Sequence, residues 1–244
     1  MKIFAIIEAR MTSSRLPGKV LMKALGQPLL HHLVFRLRAV PSLDGIVLAT
    51  TVNATDDALE SFVKSERIAC FRGSEDDVMA RVIGAAESVQ ADVIVEITGD
   101  CPIIDPQIVE QTIRMYRAHD ADYVGNAKIR SYPDGMDTQV FSVETLKRSA
   151  SMTRAPLDRE HVTLHIRNHP ELFSQVHLVA PPEMYWPELG LTLDELEDYE
   201  LLKRIIEHFG EENPLFGCLD AVRLLRTNPD WVTINQAVQR KGDT

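Results

Sequence analysis

Residues 3–19 read Ile3-Phe-Ala-Ile-Ile-Glu-Ala-Arg-Met-Thr-Ser-Ser-Arg-Leu-Pro-Gly-Lys19. The apolar run Ile3–Ile7 is short and continuous, which predicts a strand buried on both faces. It empties into the loop Ala9–Lys19. Within residues 1–23, Lys2, Arg10, Arg15, Lys19 and Lys23 stand against one acid, Glu8, a local balance of +4 in a chain whose formal net charge is −10. Positive charge concentrated after a buried strand and before a helix is where an α/β protein holds a polyanionic ligand. The loop predicts a phosphate cradle; the plain alternative is a solvated basic surface.

Working outward, strand and helix signals alternate. Pro28 opens an apolar-periodic helix (Leu29-Leu30, Leu33-Val34, Leu37) that ends before Pro41. Gly45–Thr50 predicts a second buried strand, Asp56–Lys64 a helix, and Ile68–Phe71 a short strand. Asp76–Val89 predicts a helix with Val78, Val82 and Ala85-Ala86 on one face, and Asp92–Thr98 a long strand. Strands separated by helices of this length mean βαβ units and a parallel sheet covered on both faces. Ligands of such sheets bind at the carboxyl ends of the strands.

Two acids fall at those ends. The strand ending at Thr98 runs into Gly99-Asp-Cys-Pro-Ile-Ile-Asp-Pro106, where Asp105 reads as a helix cap before Pro106. Asp100 reads as a carboxylate placed to hold a divalent cation that bridges phosphates. Leu191–Asp194 predicts a short strand ending in an acid that could complete a metal site with Asp100. Glu197 and Asp198 then read as ordinary complements of a helix dipole, in a helix running to Phe209.

From about residue 120 the alternation is lost, which predicts an inserted subdomain that shapes a substrate pocket or a dimer contact. It includes the turn-rich segment Ser131–Asp137 and a helix over Asp158–His165 carrying Glu160, His161 and His165. The spacing of the two histidines puts both imidazoles on one helix face, but no H-E-x-x-H pattern accompanies them, so a structural or substrate role is preferred to metal binding. Phe173–Val179 alternates like a strand, and Leu215–Ala237 reads as two helices, the second capped by Asn228 before Pro229. The end, Gln239-Arg-Lys-Gly242, is expected to fray.

Composition bounds the function. With 244 residues and 45% apolar content the chain can bury a large core as one domain. The acidic balance argues against nucleic acid and against an anionic membrane as partners. Cys70, Cys101 and Cys218 are far apart and form no C-x-x-C pair, so neither a zinc knuckle nor a disulfide framework is indicated. The start of the chain lacks a signal-peptide pattern, and a soluble cytoplasmic protein is expected.

Several blocks together resemble the cytidylyltransferases that activate acidic sugars, the family of CMP-3-deoxy-manno-octulosonate and CMP-acylneuraminate synthetases, and within it the spore-coat polysaccharide branch. They are Ala9–Lys19, Phe71-Arg-Gly-Ser-Glu-Asp-Asp-Val78, Ile97–Pro106, Tyr132-Pro-Asp-Gly135, Arg159-Glu-His-Val-Thr163 and Leu193-Asp-Glu-Leu-Glu-Asp198. The resemblance implies a three-layer α/β sandwich with a mostly parallel central sheet and a small α+β insertion. Residues 1–120 would form a nucleotide-binding half, about 121–180 the insertion, and 181–244 the metal-site strand and C-terminal helices. It also implies CTP as nucleotide, Mg2+ as cofactor and a homodimer.

By the same resemblance Arg10, Ser13, Arg15 and Lys19 grip the triphosphate, Arg72 and Ser74 lie near base and ribose, and Asp100 and Asp194 hold magnesium. Tyr132, Asp134, Asp137, Glu160 and His161 would face the sugar. A hydroxyl of a 2-keto sugar acid would attack the α-phosphorus of CTP in line and release pyrophosphate, with Arg10, Lys19 and Asp100 carrying the catalysis. Three positions depart from the family pattern. Glu8 stands where Gln or Pro is more frequent, Leu196 replaces a frequent Pro, and Gly190, where relatives carry a larger residue, would widen the sugar pocket. A glycosyltransferase of the same architecture and a non-catalytic nucleotide-binding module are the alternatives. The first is disfavoured because the Thr98–Pro102 loop offers one acid rather than an Asp-x-Asp pair, the second because the triphosphate and metal residues are intact.

Overall fold

The structure is a computed structural model that describes residues 1–240. Nine strands, ten α-helices and two 3-10 turns are defined among these residues. The first half runs β1 (Ile3–Glu8), the hairpin β2 (Lys23–Ala24) and β3 (Gln27–Pro28), α1 (Leu29–Leu37), β4 (Gly45–Thr51), α2 (Asp57–Glu66), β5 (Ala69–Gly73), α3 (Val78–Ser88), β6 (Val93–Thr98) and α4 (Pro106–Ala118). The second half runs β7 (Tyr123–Gly125), β8 (Gln139–Ser142), α5 (Val143–Met152), α6 (Pro156–Glu160), α7 (Leu164–Asn168), β9 (Gln175–His177), α8 (Leu196–Phe209), α9 (Cys218–Thr227) and α10 (Pro229–Val232).

Seven strands form the central sheet in the order β5-β4-β1-β6-β8-β7-β9. β5, β4, β1 and β6 pair in parallel, and β8 runs antiparallel between β6 and β7. Alternate residues of β1 go to opposite faces. Ile3, Ala5 and Ile7 pack with α1, α2 and α4, while Ile6 packs with α3, α5 and α7. These are the three layers. A further core joins α8 and α9 to Ile103, Ile108 and Leu191.

Four expected elements differ. Leu191–Asp194 is not a strand; it is an extended segment fastened by Leu191 N–H to Asp134 O and Leu193 N–H to Asp100 O. The helix expected over Asp158–His165 is broken into α6 and α7, because Val162 turns inward with φ of +33° to bury its side chain. His161 and His165 therefore share no helix face. The strand expected over Phe173–Val179 shrinks to β9, and the second C-terminal helix to α10. At the C-terminus Arg240 is ion-paired rather than frayed, and the remainder of the expected fray, Lys241-Gly242, lies outside the described residues.

Asp105 caps α4 as expected, accepting from Gln107 N–H at 2.8 Å, and its second oxygen accepts from Cys218 N–H at 2.7 Å, tying α9 to α4. Asp56 is the other internal anchor. Its buried carboxylate accepts from Thr51 N–H, from the hydroxyls of Thr50 and Thr51, and from Met11 N–H at 2.8 Å. It thus pins the basic loop to the end of β4. No helix among the described residues is long and apolar enough to cross a membrane.

Burial alone would raise the Asp56 pKa, but these hydrogen bonds outweigh it and hold it below the ordinary value. A depressed folded-state pKa gives stability that is present above the unfolded value of about 3.9 and is lost as pH falls through the folded one. Asp56→Ala should cost about 2–4 kcal/mol in urea unfolding at pH 7, because it strands several buried donors. The difference from the parent should shrink in the acid range below about pH 4.

Candidate functional site

The basic loop leaves β1 and folds back on itself through Gly18 N–H to Met11 O at 2.9 Å, delivering Lys19 to a single 3-10 turn. Lys19 then points across the carboxyl ends of the strands. Its Nζ donates to Asp100 Oδ2 and Asp194 Oδ1, each at 3.1 Å, and to Leu193 O. Residues 81 and 175 positions away in sequence thereby meet at one ammonium. Asp100 can reach it because Gly99 lets β6 turn against β1. A Cβ on Gly99 would stand 2.8 Å from both Glu8 O and Ala9 Cβ.

Burial on its own would lower the Lys19 pKa, but the carboxylates of Asp100 and Asp194 outweigh it and raise it. Burial would raise the Asp100 pKa, and Lys19 with the Thr98 hydroxyl reverses that and lowers it. Arg15 adds a second cation, with Nη2 2.7 Å from Asp194 Oδ1. Arg10 lies across the same cavity, ion-paired with Glu75 at 3.2 Å. The cavity has a volume of about 560 Å³, and Arg10, Ser13, Arg15, Lys19, Asp100 and Asp194 all line it. The sequence-predicted triphosphate and metal residues are therefore one cluster.

A second cavity of about 210 Å³ adjoins the first and shares Glu8, Thr98, Glu160 and His161 with it. Asp134 and Asp137 line it, together with Arg130 and Arg167. Burial raises the Asp134 pKa, against the opposing pull of Arg130 and Arg240. Tyr132 does not join them. Its ring is buried in the α8–α9 core and lines neither cavity.

Arg72 and Ser74 also depart from expectation. The Arg72 guanidinium is held on the far side of β5 by Asp57 at 2.7 Å and Glu60 at 3.0 Å, and donates to Thr51 O and Asn53 O. Ser74 Oγ accepts from Asp77 N–H. Neither lines the cavity. Arg81, outside the sequence-predicted set, does line it beside Arg10 and Arg15; 4% exposed, it donates to Ser74 O and Glu75 O, with Nε lacking a partner among the described residues. A sequence signal for it exists: Arg81 falls on the Val78, Val82, Ala85 face of α3, where a charge is out of place unless it has a task.

The three departures from the family pattern are placed as well. Glu8 turns toward Glu96 on the neighbouring strand, with Oε1 buried and unpartnered, and burial and then Glu96 raise its pKa well above the ordinary value. Leu196 is half exposed at the first turn of α8. Gly190 does not widen the sugar pocket, because the Arg240 guanidinium fills the space its missing side chain leaves. Asp198 is more than a dipole complement: fully buried, it accepts from Asp194 N–H at 3.0 Å and Glu195 N–H at 2.9 Å.

Comparison with known proteins agrees with this geometry. The family model for cytidylyltransferases matches residues 4–216. The chain is 37% identical over 241 residues to the spore coat polysaccharide biosynthesis protein SpsF of Bacillus subtilis, covering 96% of this chain and 98% of that one. It is 29% identical over 161 residues to the 3-deoxy-manno-octulosonate cytidylyltransferase of Geobacter metallireducens, covering 64% and 63%. A solved cytidylyltransferase from Leptospira borgpetersenii superposes with a TM-score of 0.91 at 30% identity, over 99% of this chain and 100% of that one. A CMP:2-keto-3-deoxy-manno-octonic acid synthetase complexed with CTP shares the fold, with a TM-score of 0.62 at 18% identity over 85% and 99%. The match of the cytidylyltransferase family model to most of the chain, with relatives similar along nearly its whole length, makes this protein a member of the cytidylyltransferase family and a nucleotidyltransferase.

Proposed function

We propose that the enzyme transfers CMP from CTP to a hydroxyl of an acidic 2-keto sugar, releasing pyrophosphate, as a step toward a cell-surface polysaccharide. The observation that carries this reading is the meeting of Lys19 with Asp100 and Asp194 in the larger of two adjoining cavities. The larger one, lined by Arg10, Arg15, Lys19 and Arg81, suits a nucleoside triphosphate. The smaller, with Arg130 and Arg167 among carboxylates and hydroxyls, suits a polyhydroxylated acid. Relatives named for CMP transfer to 3-deoxy-manno-octulosonate and its 8-amino analogue support the acceptor class. The reaction would run in the cytoplasm, where CTP is available.

The donor set fits Mg2+. Two carboxylates near enough to share one ammonium, with substrate phosphates and water completing the shell, is how this hard cation is usually held. Bound there, Mg2+ would supply charge stabilisation to phosphate oxygens. Lys19 stands beside both acids and Arg15 beside Asp194, and with Arg10, paired to Glu75 in the same cavity, they present positive charge to the phosphates. In the transfer, the bond from acceptor oxygen to α-phosphorus forms as the bond to pyrophosphate breaks, and these cations neutralise the charge that accumulates on the leaving group. Glu160 and His161, on the wall common to both cavities, orient the acceptor.

Pyrophosphate release should occur with CTP, Mg2+ and a 2-keto sugar acid, and should fall to background with UTP, ATP or GTP or without acceptor. Transfer from a preformed nucleotide sugar with no such release would replace this reading with a glycosyltransferase. Asp100→Ala or Lys19→Ala should lower kcat by about a hundredfold or more, on the order of 3 kcal/mol of transition-state stabilisation, with far-ultraviolet circular dichroism unchanged. Glu8→Gln should keep CTP affinity within about threefold in calorimetry, since burial and Glu96 already disfavour the charged form of Glu8 and glutamine keeps its shape without the charge. A larger loss would show that an ionised Glu8 is required.

A further inference from the structure

The C-terminal end of the described chain returns to the nucleotide site. Gln239 O accepts from Arg15 Nη1 at 3.1 Å, the same arginine whose Nη2 pairs with Asp194. One residue later, Arg240 grips Asp198 with two nitrogens, at 2.6 Å and 3.1 Å, although Asp198 is fully buried and Arg240 is near the surface. The guanidinium also lies 3.8 Å from Asp134 of the acceptor cavity and 3.8 Å from Asp194 Oδ2. Asp194 thus has Lys19 and Arg15 on one oxygen and Arg240 facing the other.

Gly190 makes this seat. A Cβ there would stand 1.9 Å from Arg240 Nη2 and 2.4 Å from Cζ, so any side chain would drive the guanidinium away. The conflict is with the far end of a long side chain, not with backbone, so the fold itself would tolerate it. Glycine and arginine, distant in sequence, function as one fitting.

We infer that Arg240 is a positioning residue of the nucleotide site, which, seated over Gly190, clamps Asp198 and so holds the Asp194 segment in register for the metal–nucleotide complex. The lever is Asp198 rather than the longer contacts. Its carboxylate accepts from the backbone N–H groups of Asp194 and Glu195, so its place fixes theirs, whereas contacts at 3.8 Å exceed hydrogen-bonding distance. Asn235 also donates to Asp198, at 2.7 Å, but an amide brings no charge to a buried carboxylate. Groups that orient metal ligands from behind commonly alter metal affinity 10–100-fold when removed. The inference rests on the assignment of Asp194 to the metal.

The test uses the full chain and titrates CTP by calorimetry, once with Mg2+ and once with EDTA, so that the metal-dependent gain in affinity is isolated. Arg240→Ala and Gly190→Ala should each reduce that gain about 10–100-fold while changing the EDTA affinity by no more than about twofold. The double variant should be no worse than Arg240→Ala alone, since both remove the same contact. Arg240→Lys should restore part of the gain, because an ammonium keeps the charge but not the two-pronged geometry. A gain equal to wild type in both single variants, even with lowered melting temperatures, would reduce Arg240 to a staple of the C-terminus. Additive losses in the double variant would equally overturn the shared seat. If wild type shows no metal-dependent gain, the Asp194 metal assignment fails and takes this inference with it, whereas acceptor-dependent pyrophosphate release would report on the transfer reaction separately.

Discussion

Two carboxylates held beside each other at the edge of a sheet repel, and partial burial deepens the penalty, so the site depends on the ammonium that joins them. Lys19 lies 3.1 Å from both Asp100 and Asp194 and holds the two carboxylates next to each other at one ammonium. That one contact ties the first loop, the turn after β6 and the segment before α8 into a single object. The rest of the local structure serves it. Asp56 pins the start of the loop, Gly99 brings Asp100 within reach, and Asp198 fixes the backbone of Asp194.

The division into two cavities follows from the sheet. β1 and β6 are adjacent and parallel, so their carboxyl ends open onto the larger cavity together. β8 runs antiparallel beside β6, so the stretch leading into it lies near the carboxyl end of β6, where Asp134, Asp137 and Gln139 line the second cavity. The break between α6 and α7 contributes as much as either. An unbroken helix would have carried His161 around with its register, whereas the turn at Val162 leaves Glu160 and His161 on the shared wall and sends His165 to Asp158 and a ring contact with His169.

Much of this was legible in the sequence where a single physical rule decides the outcome. Apolar runs bounded by turns gave the parallel strands, and the ends of those strands pointed to the basic loop, Asp100 and Asp194. What local pattern does not encode is side-chain direction across elements. Arg72 and Arg81 lie nine residues apart, yet only Arg81 enters the cavity, because Asp57 and Glu60 of α2 capture Arg72 first. Tyr132 sits beside acceptor-side residues in sequence, but its ring finds the α8–α9 core. Arg240 was out of reach altogether. A basic residue near a chain end reads as solvent-exposed, and its buried partner lies 42 positions away in a helix whose acids already had an ordinary explanation.

Glu8 shows how structure can turn an apparent conflict into a fit. An acid at the end of β1, facing a site built for a triphosphate, would repel its ligand if it were ionised there. It turns instead toward Glu96, and desolvation together with that second carboxyl raises its pKa well above the ordinary value, which disfavours its charged form. A protonated glutamate has the shape of glutamine, with one oxygen to accept and one hydroxyl to donate. In that form Glu8 would offer the hydrogen-bonding character of glutamine, which with proline is what the family resemblance expects there. It can do so only because β1 and β6 place Glu8 and Glu96 on the same face of adjacent strands.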